Sequence, residues 1–323
     1  MSSLIEQAAL RLEQLRQAGV MVPDMPTAPV APLPSAALAA QRLQHAVNGR
    51  DAAPPLTPTP QTSTAPQPSS PSQSQRIDLD FDALAAANIV TPTAPRSLVA
   101  DQFRVVKRPL IANAMGKGAA TPAHANLIMV TSAVAGEGKS FTSVNLAISI
   151  AAELDNTVML VDADVARPSL PRMLGVPEGP GLLDLLDGAA DMADVLLKTN
   201  IDKLTLLRSG TPHARATEML ASEAMRQLLH DMSTRYPDRI IIFDSPPLLL
   251  TTEARALATN MGQIVVVVHA GKTLQANVQR ALSTLEACPL KMMVLNQTRA
   301  DAQEASELGY GYGYGYGGVK HGA

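Results

Sequence analysis

The sequence predicts an α/β fold in which helices cover both faces of a mainly parallel sheet. Between residues 125 and 299, apolar runs alternate with segments of helical periodicity. The apolar runs are nearly continuous, which is typical of parallel strands that are buried on both faces. The predicted strands are Leu127–Ser132, Val158–Asp162, Leu204–Leu207, Ile240–Asp244, Ile264–His269 and Met292–Asn296. The predicted helices are Lys139–Leu154, Thr217–Thr234, Glu253–Asn260 and Leu274–Cys288.

Short helices and a proline-rich linker are predicted to precede this sheet. Ser3 and Glu6 form a capping box that begins an amphipathic helix, and a second, weaker helix is expected near residues 36–47. Residues rich in Pro, Thr, Ser, Gln and Ala follow, and this composition cannot bury a core. The predicted domains are an N-terminal helical segment (1–48), a disordered linker (49–75), an α/β domain (76–305) and a flexible tail (306–323).

A further amphipathic helix is predicted from Ser97 to Met115, and Pro109 is expected to kink or end it. Asp101, Arg104 and Lys107 follow one another at intervals of three, so we expect them to share one helix face. Two interpretations of that face remain open from these residues alone. It forms ion pairs with a neighbouring chain, or it is simply solvated.

The bulk composition excludes several classes of function. A net charge of −3 gives no large cationic surface, so we do not expect nucleic-acid binding. The single cysteine excludes a disulfide framework and fits a reducing cytoplasm. No run approaches the ~20 apolar residues that a membrane span requires, and the first residues lack the pattern of a signal peptide. We therefore expect a cytoplasmic chain whose association with a membrane is indirect.

The segment from Leu127 to Leu146 has the pattern of a phosphate-binding loop: a strand, a glycine-rich turn and a helix, with Gly-Lys-Ser at the junction. Backbone N–H groups of the turn and the helix dipole would bind phosphate, Lys139 would reach the β- and γ-phosphates, and the Ser140 hydroxyl would bind Mg²⁺. Ala133 replaces the first glycine of the usual G-x-x-x-x-G-K-S. A chance Gly-Lys-Ser turn is disfavoured by the flanking strand and helix, which indicate a P-loop NTPase type of sheet. The predicted nucleotide-binding residues are Ala135, Gly136, Glu137, Gly138, Lys139, Ser140, Phe141 and Arg167.

Carboxylates end two of the predicted strands. Asp162 and Asp164 follow one strand, and Asp244 ends another. An isolated buried charge is costly, and beside a phosphate loop the natural partner is Mg²⁺, which prefers oxygen ligands. Each aspartate alone is equally well explained as a cap or turn residue, but three beside one phosphate loop favour a site. We predict Ser140, Asp162 and Asp244 as metal ligands and Lys139, Asp162, Asp164 and Asp244 as catalytic residues, with Asp162 or Asp164 accepting a proton.

Glycine and tyrosine alternate from residue 309 to residue 318, and this segment holds four of the five tyrosines of the chain. Such a segment has no stable conformation of its own, so it is a flexible low-complexity tail. A mobile arm of phenols beside a phosphoryl-transfer site also suggests that the tyrosines are the nucleophiles. The predicted phosphorylation sites are Tyr310, Tyr312, Tyr314 and Tyr316.

Together, T-S-A-V-A-G-E-G-K-S, V-M-L-V-D-A-D-V-A-R-P, I-I-I-F-D-S-P-P-L-L and the tyrosine tail resemble the bacterial tyrosine kinases (BY-kinases) of exopolysaccharide and capsule export. The likeness covers roughly residues 76–318. The start S-L-I-E-Q-A-A-L-R-L-E-Q-L, the segment K-R-P-L-I-A-N-A and the tail are most similar to the exosortase-associated autokinases. The resemblance implies ATP and Mg²⁺ as cofactors. It makes residues 136–140 Walker A, Asp162 and Asp164 Walker A′, and Asp244 Walker B.

The resemblance also implies partners. The tail of one subunit would enter the site of its neighbour within a ring, and Asp101, Arg104 and Lys107 resemble the E-x-x-R-x-x-R motif that contacts the next subunit. Lys107 departs from that motif, since lysine lacks the fork of arginine. A separate membrane-spanning polysaccharide co-polymerase (chain-length determinant) would be the activator and a cognate tyrosine phosphatase the antagonist. The chain would then act at the inner face of the plasma membrane through a partner.

Two alternatives to a kinase remain open from the sequence. A partition- or division-type ATPase shares this sheet, but it carries an early lysine in the loop (K-G-G-x-G-K) where this chain has Val134. A non-catalytic adaptor that is switched by nucleotide would also bind phosphates. Phosphotyrosine on the purified chain separates the kinase from both alternatives.

Overall fold

A computed structural model describes residues 75–93, 97–118 and 122–298. The predicted N-terminal helices, nearly all of the linker, the C-terminal tail and the tail tyrosines Tyr310, Tyr312, Tyr314 and Tyr316 lie outside the described residues. The α/β domain is described over most of its predicted length.

Within these residues, eight strands form one sheet in the order β1-β4-β5-β3-β6-β2-β7-β8. Neighbouring strands are parallel except β4 and β5, which are antiparallel. The predicted fold class is therefore confirmed. The strands are β1 (Arg76–Ile77), β2 (Leu127–Ser132), β3 (Thr157–Asp162), β4 (Leu196–Thr199), β5 (Leu204–Leu207), β6 (Arg239–Asp244), β7 (Gln263–His269) and β8 (Lys291–Asn296).

Helices cover both faces of this sheet. In the described ranges they are α1 (Phe81–Ala86), α2 (Leu98–Ala114), α3 (Lys139–Ala151), α4 (Leu170–Leu174), α5 (Leu182–Leu186), α6 (Met192–Val195), α7 (Ala216–Leu220), α8 (Glu223–Arg235), α9 (Glu253–Ala258) and α10 (Gln275–Ser283). Successive strand residues enter opposite hydrophobic clusters. One cluster is shared with α1 to α4 and the other with α5 to α10, so the central strands are buried on both sides.

Several predicted helix boundaries were wrong. The expected helix Thr217–Thr234 is two helices, because Ser222 interrupts it and caps α8 by accepting a hydrogen bond from the Met225 amide at 3.2 Å. The other predicted helices in the described ranges end one to five residues early. Pro109 does not end α2 but lies within it on the exposed face.

Lys107 does not share an exposed face with Asp101 and Arg104, and this expectation was wrong. Asp101 and Arg104 are exposed and form an ion pair with each other. The Lys107 side chain is 6% exposed, and its Nζ donates to the Ser149 carbonyl oxygen at 2.5 Å and lies 2.6 Å from the Glu153 carboxylate. Each step of three residues falls about 60° short of a full turn, so the third position turns about 120° from the first. Lys107 thereby joins α2 to the end of α3.

Candidate functional site

The phosphate loop connects β2 to α3 and depends on two glycines. Gly136 and Gly138 have φ of +83° and +91°, in the left-handed region that side chains disfavour. A Cβ atom at Gly138 would also lie 2.1 Å from Nδ2 of Asn296. Ala133, in the place of the usual first glycine, is fully buried in the core and needs no such freedom. The departure from the motif therefore leaves the loop intact.

Side chains from two neighbouring loops hold this loop in place. The buried Glu137 carboxylate accepts hydrogen bonds from the Val134 amide at 2.7 Å and from the Thr273 hydroxyl. Asn296 Nδ2 donates to the Glu137 carbonyl oxygen at 3.0 Å, and Gln297 Nε2 donates to the Gly136 carbonyl oxygen at 3.3 Å. The roles of Thr273, Asn296 and Gln297 were not predicted from the sequence. Their place at or just after the carboxyl ends of β7 and β8 was the available signal, because ligands bind at the carboxyl ends of parallel strands.

Lys139 lies among acidic groups at the start of α3. Its Nζ is 2.7 Å from the Asp164 carboxylate, and both side chains are largely buried. Burial lowers the pKa of Lys139, but the charges of Asp244, Asp164 and Asp162 outweigh burial and raise it. Lys139 is therefore a fixed cation that faces the carboxylates where phosphate is expected.

Asp162 and Asp244 form the buried floor of the site. They are register partners at the ends of β3 and β6, and both are fully buried. Burial, and next the charge of Asp244, raises the pKa of Asp162 to about 8. Burial also raises the pKa of Asp244, although Lys139 opposes the rise. The charge of Lys139 does not offset the burial of these two adjacent carboxylates, whose pKa values stay raised, so a divalent cation fits them.

Hydroxyl groups complete this part of the site. Asp244 accepts from the Ser143 hydroxyl at 3.1 Å. The Ser169 hydroxyl donates to Ser140 Oγ at 2.8 Å, and its oxygen lies 3.4 Å from the Asp244 carboxylate. The described residues contain no group of three or more His, Cys, Asp or Glu arranged to hold a metal. Mg²⁺ does not require one, because it usually takes one or two carboxylates and completes its shell with waters and substrate phosphates. Ser140, Asp162 and Asp244 therefore suit Mg²⁺.

The remaining predicted residues lie at different depths around the loop. Ala135 and Gly136 are exposed, and so is Arg167, whose backbone N–H donates to the Asp164 carbonyl oxygen at 3.0 Å. Phe141 is half-buried, and its ring packs against Phe103 with the ring centroids 6.4 Å apart. Phe141 thus helps to fix the start of α3 on α2 rather than presenting a free ring.

Taken together, the structure gathers Lys139, Ser140, Asp162, Asp164 and Asp244 at one edge of the sheet. Such a site can hold nucleotide phosphates and a cation and can accept a proton during phosphoryl transfer. In the ranges that the structure describes, no helix has both the length and the apolar character that crossing a membrane requires.

Comparisons with known proteins find a matching family and similar chains. The family model ParA, described as "NUBPL iron-transfer P-loop NTPase", matches residues 123–299. The chain is 29% identical over 223 residues to the tyrosine-protein kinase YwqD of Bacillus subtilis (strain 168), covering 69% of this chain and 90% of that protein. It is 34% identical over 174 residues to the tyrosine-protein kinase ptk of Acinetobacter johnsonii, covering 54% of this chain but 23% of that longer protein.

A solved structure shows the same relationship. The crystal structure of the VpsO kinase domain is 25% identical and superposes with a TM-score of 0.55, covering 62% of this chain and 95% of that domain. The predicted resemblance to bacterial tyrosine kinases is therefore confirmed.

Proposed function

We propose that this chain, which belongs to the ParA family of P-loop NTPases, is an ATP-dependent protein-tyrosine autokinase. Its substrates would be the tail residues Tyr310, Tyr312, Tyr314 and Tyr316. The observation that carries the proposal is the Lys139–Asp164 ion pair beside the buried Asp162 and Asp244. Relatives that are named tyrosine-protein kinases support it.

The ion pair suggests how the site responds to nucleotide. Phosphate oxygens would replace the Asp164 carboxylate as the partner of Lys139. Asp164 would then be free to accept the proton of a tyrosine phenol, with Asp162 as the alternative base. Bound Mg²⁺ would neutralise phosphate charge, held by Ser140, Asp162 and Asp244. Gly136, Gly138 and the first amides of α3 would bind the phosphate oxygens.

The proposal extends to the setting of the reaction. We propose that one subunit phosphorylates the tail of another within an oligomer. A separate membrane-spanning polysaccharide co-polymerase would activate the kinase at the inner face of the plasma membrane, a cognate phosphatase would reverse it, and the cycle would regulate exopolysaccharide polymerisation and export. Asp101 and Arg104 are exposed and suit an oligomer contact, whereas the buried Lys107 does not.

The ParA match favours a second candidate, an ATPase without kinase activity. Val134 in place of the early loop lysine argues against the partition-type mechanism. Iron transfer is poorly supported, because iron–sulfur clusters are held by several cysteine thiolates and the one cysteine of this sequence, Cys288, is buried. A nucleotide-switched adaptor is the remaining alternative.

Intact mass of the purified chain after incubation with Mg²⁺ and ATP tests the proposal. Serial gains of single phosphates are expected in the unmodified chain and in the matched control Lys198→Met, an exposed lysine on β4. No gain is expected in Lys139→Met or in a variant with all four tail tyrosines changed to Phe. ATP hydrolysis without phosphate gain would favour the ATPase. If the chain neither gains phosphate nor hydrolyses ATP, even after the cytoplasmic part of the co-polymerase is added, the result would favour the adaptor.

Transfer between subunits has its own test. The Lys139→Met chain keeps its tail but lacks the lysine, whereas the four-Phe chain keeps the lysine but lacks substrate. When the two are mixed with Mg²⁺ and ATP, phosphate should appear on the Lys139→Met chain. If the unmodified chain is active but no phosphate appears on the Lys139→Met chain in the mixture, each chain modifies itself.

A further inference from the structure

The outer edge of β8 offers backbone groups for another strand. Within the described residues β8 pairs with β7 and ends the sheet on that side. The carbonyl oxygens of Leu290 and Asn296 accept hydrogen bonds from the β7 side. Backbone groups alternate in direction along a strand, so those of Met293 and Leu295 face the open edge. An open edge of this kind is a template for strand addition.

One face of β8 begins with Lys291 and continues with two apolar side chains that are uncovered. Met293 and Leu295 are 62% and 61% exposed, whereas Met292 and Val294 on the other face pack against the core. Met293 and Leu295 stand two residues apart, so about 7 Å separates them along the face. We call these two side chains with the adjoining backbone edge the β8 edge. Exposed large apolar residues on an edge strand indicate a binding surface.

The chain turns as it leaves β8. Asn296 and Gln297 are held by the carbonyl oxygens of the phosphate loop, and Gln297 has a φ of +58°, the left-handed conformation that occurs in turns. The residues that follow lead into the alternating Gly-Tyr segment 309–318. The exit of the chain is therefore fixed close to both the phosphate loop and the β8 edge.

We infer that the β8 edge is the docking site of the chain's own unphosphorylated Gly-Tyr segment, residues 309–318, which adds to it as an antiparallel strand. In an extended strand all four tyrosines lie on one face at intervals of about 7 Å, the same interval as Met293 and Leu295. The rings would cover these two side chains, and sulfur–aromatic contact favours Met293. Backbone hydrogen bonds would supply the order that a glycine-rich segment lacks by itself.

The length of the chain permits this arrangement. The segment would begin beside the end of β8, so residues 297–308 need to bridge only the strand spacing of about 5 Å. Hairpin loops are commonly shorter than this connection, and the entropy of loop closure grows slowly with length. The tether also keeps the segment at high effective concentration near the edge. A partner on a separate chain lacks that advantage.

Docking gives the edge a role in the proposed function. A docked tail holds its phenols on an added strand outside β8, so β7 and β8 separate it from β2, which leads into the phosphate loop. The tail must leave the β8 edge before one of its tyrosines can enter a phosphoryl-transfer site. Each phosphate adds a charge of roughly −1.5 to −2, which disfavours return to an apolar surface. The regulatory part of this inference rests on the proposed function, but docking itself does not.

Backbone hydrogen exchange tests the docking in the full chain. The Lys139→Met background prevents autophosphorylation and separates this test from the kinase proposal. We expect the amides of Met293 and Leu295 to exchange at least about tenfold more slowly than in a variant whose four tail tyrosines are Ser, a difference of about 1.4 kcal/mol. Equal exchange in the two chains would overturn the inference. Faster exchange at low protein concentration would show a tail from another copy and would overturn docking within one chain.

Tyrosine fluorescence gives an independent readout, because the chain has no tryptophan and four of its five tyrosines lie in the tail. With Tyr236→Phe included, all of the signal comes from the tail. Changing Met293 and Leu295 to Ser should increase quenching by acrylamide, whereas Leu154→Ser, at a side chain that is 86% exposed elsewhere, should not. Identical quenching in all three chains would contradict docking.

Discussion

Replacing Lys107 by Met should destabilise the fold without loosening an oligomer. Nζ of Lys107 donates to the carbonyl oxygen of Ser149, which lies in the last turn of α3. Carbonyls in the last turn of a helix have no partner within the helix, and a cation there also interacts favourably with the helix dipole. Met keeps the length and apolar body of the side chain but removes both effects.

The expected loss is about 2 kcal/mol in the free energy of unfolding, the typical value of a buried hydrogen bond to a charged group. The ion pair with Glu153 adds little to this value, because Glu153 is 45% exposed and solvent screens the pair. With a urea dependence of 1–3 kcal/mol per molar, the unfolding midpoint should fall by about 1 M.

The assay is urea unfolding of the full chain, with sedimentation to measure its oligomeric state. Arg104→Met is the matched control, because Arg104 is exposed and pairs with Asp101 on the same helix. It should change the free energy of unfolding by less than about 0.5 kcal/mol. If Lys107→Met instead dissociates an oligomer and leaves the unfolding midpoint unchanged, Lys107 is a subunit contact and the reasoning from its burial is refuted.

Further predictions concern the site. In Mg²⁺-free protein, the pKa of Asp162 is raised to about 8 from an ordinary 3.8, so the folded state binds its proton more tightly than the unfolded state. Stability should therefore fall by up to about 5 kcal/mol as pH rises from about 4 to about 8, and Asp162→Asn should flatten this fall in urea titrations. Gly138→Ala should abolish nucleotide binding measured by calorimetry, whereas Gly136→Ala, which has open space around it, should weaken binding less. Combining Gly138→Ala with Asn296→Ala should restore part of the nucleotide binding, because the second change removes the side chain that the new Cβ atom meets. If binding is not restored, the positive φ angle of residue 138 alone explains the loss.

Much of the fold could be predicted from the sequence, because the central strands are nearly uninterrupted apolar runs. Val158 to Val161 and Ile240 to Phe243 are buried on both faces, so their composition alone indicates parallel strands. Strands β1 and β4 were missed, because β1 has only two residues and β4 contains the exposed Lys198, which interrupts its apolar run. The antiparallel direction of β4 depends on tertiary pairing with β5 and leaves no local signal.

The candidate site was predictable where one segment carries the whole signal. The loop from Gly136 to Ser140 and the aspartates at the strand ends lie next to the elements that place them. Thr273 and Asn296 bind the loop across 136 and 159 residues of sequence, so no local pattern pointed to them. Long-range hydrogen bonds of this kind depend on strand order, which a single sequence specifies only indirectly.

The error at Lys107 shows where periodicity alone fails. Intervals of three place Asp101 and Arg104 near one another, but the drift of each step turns the next position toward α3. A lysine there can be buried only because α3 ends nearby and offers the Ser149 carbonyl and the Glu153 carboxylate. The charge of Lys107, which suggested a contact with another subunit, is thus paired inside the domain. An oligomer contact on α2 would have to use the exposed residues of this helix, among them Leu98 and Val105.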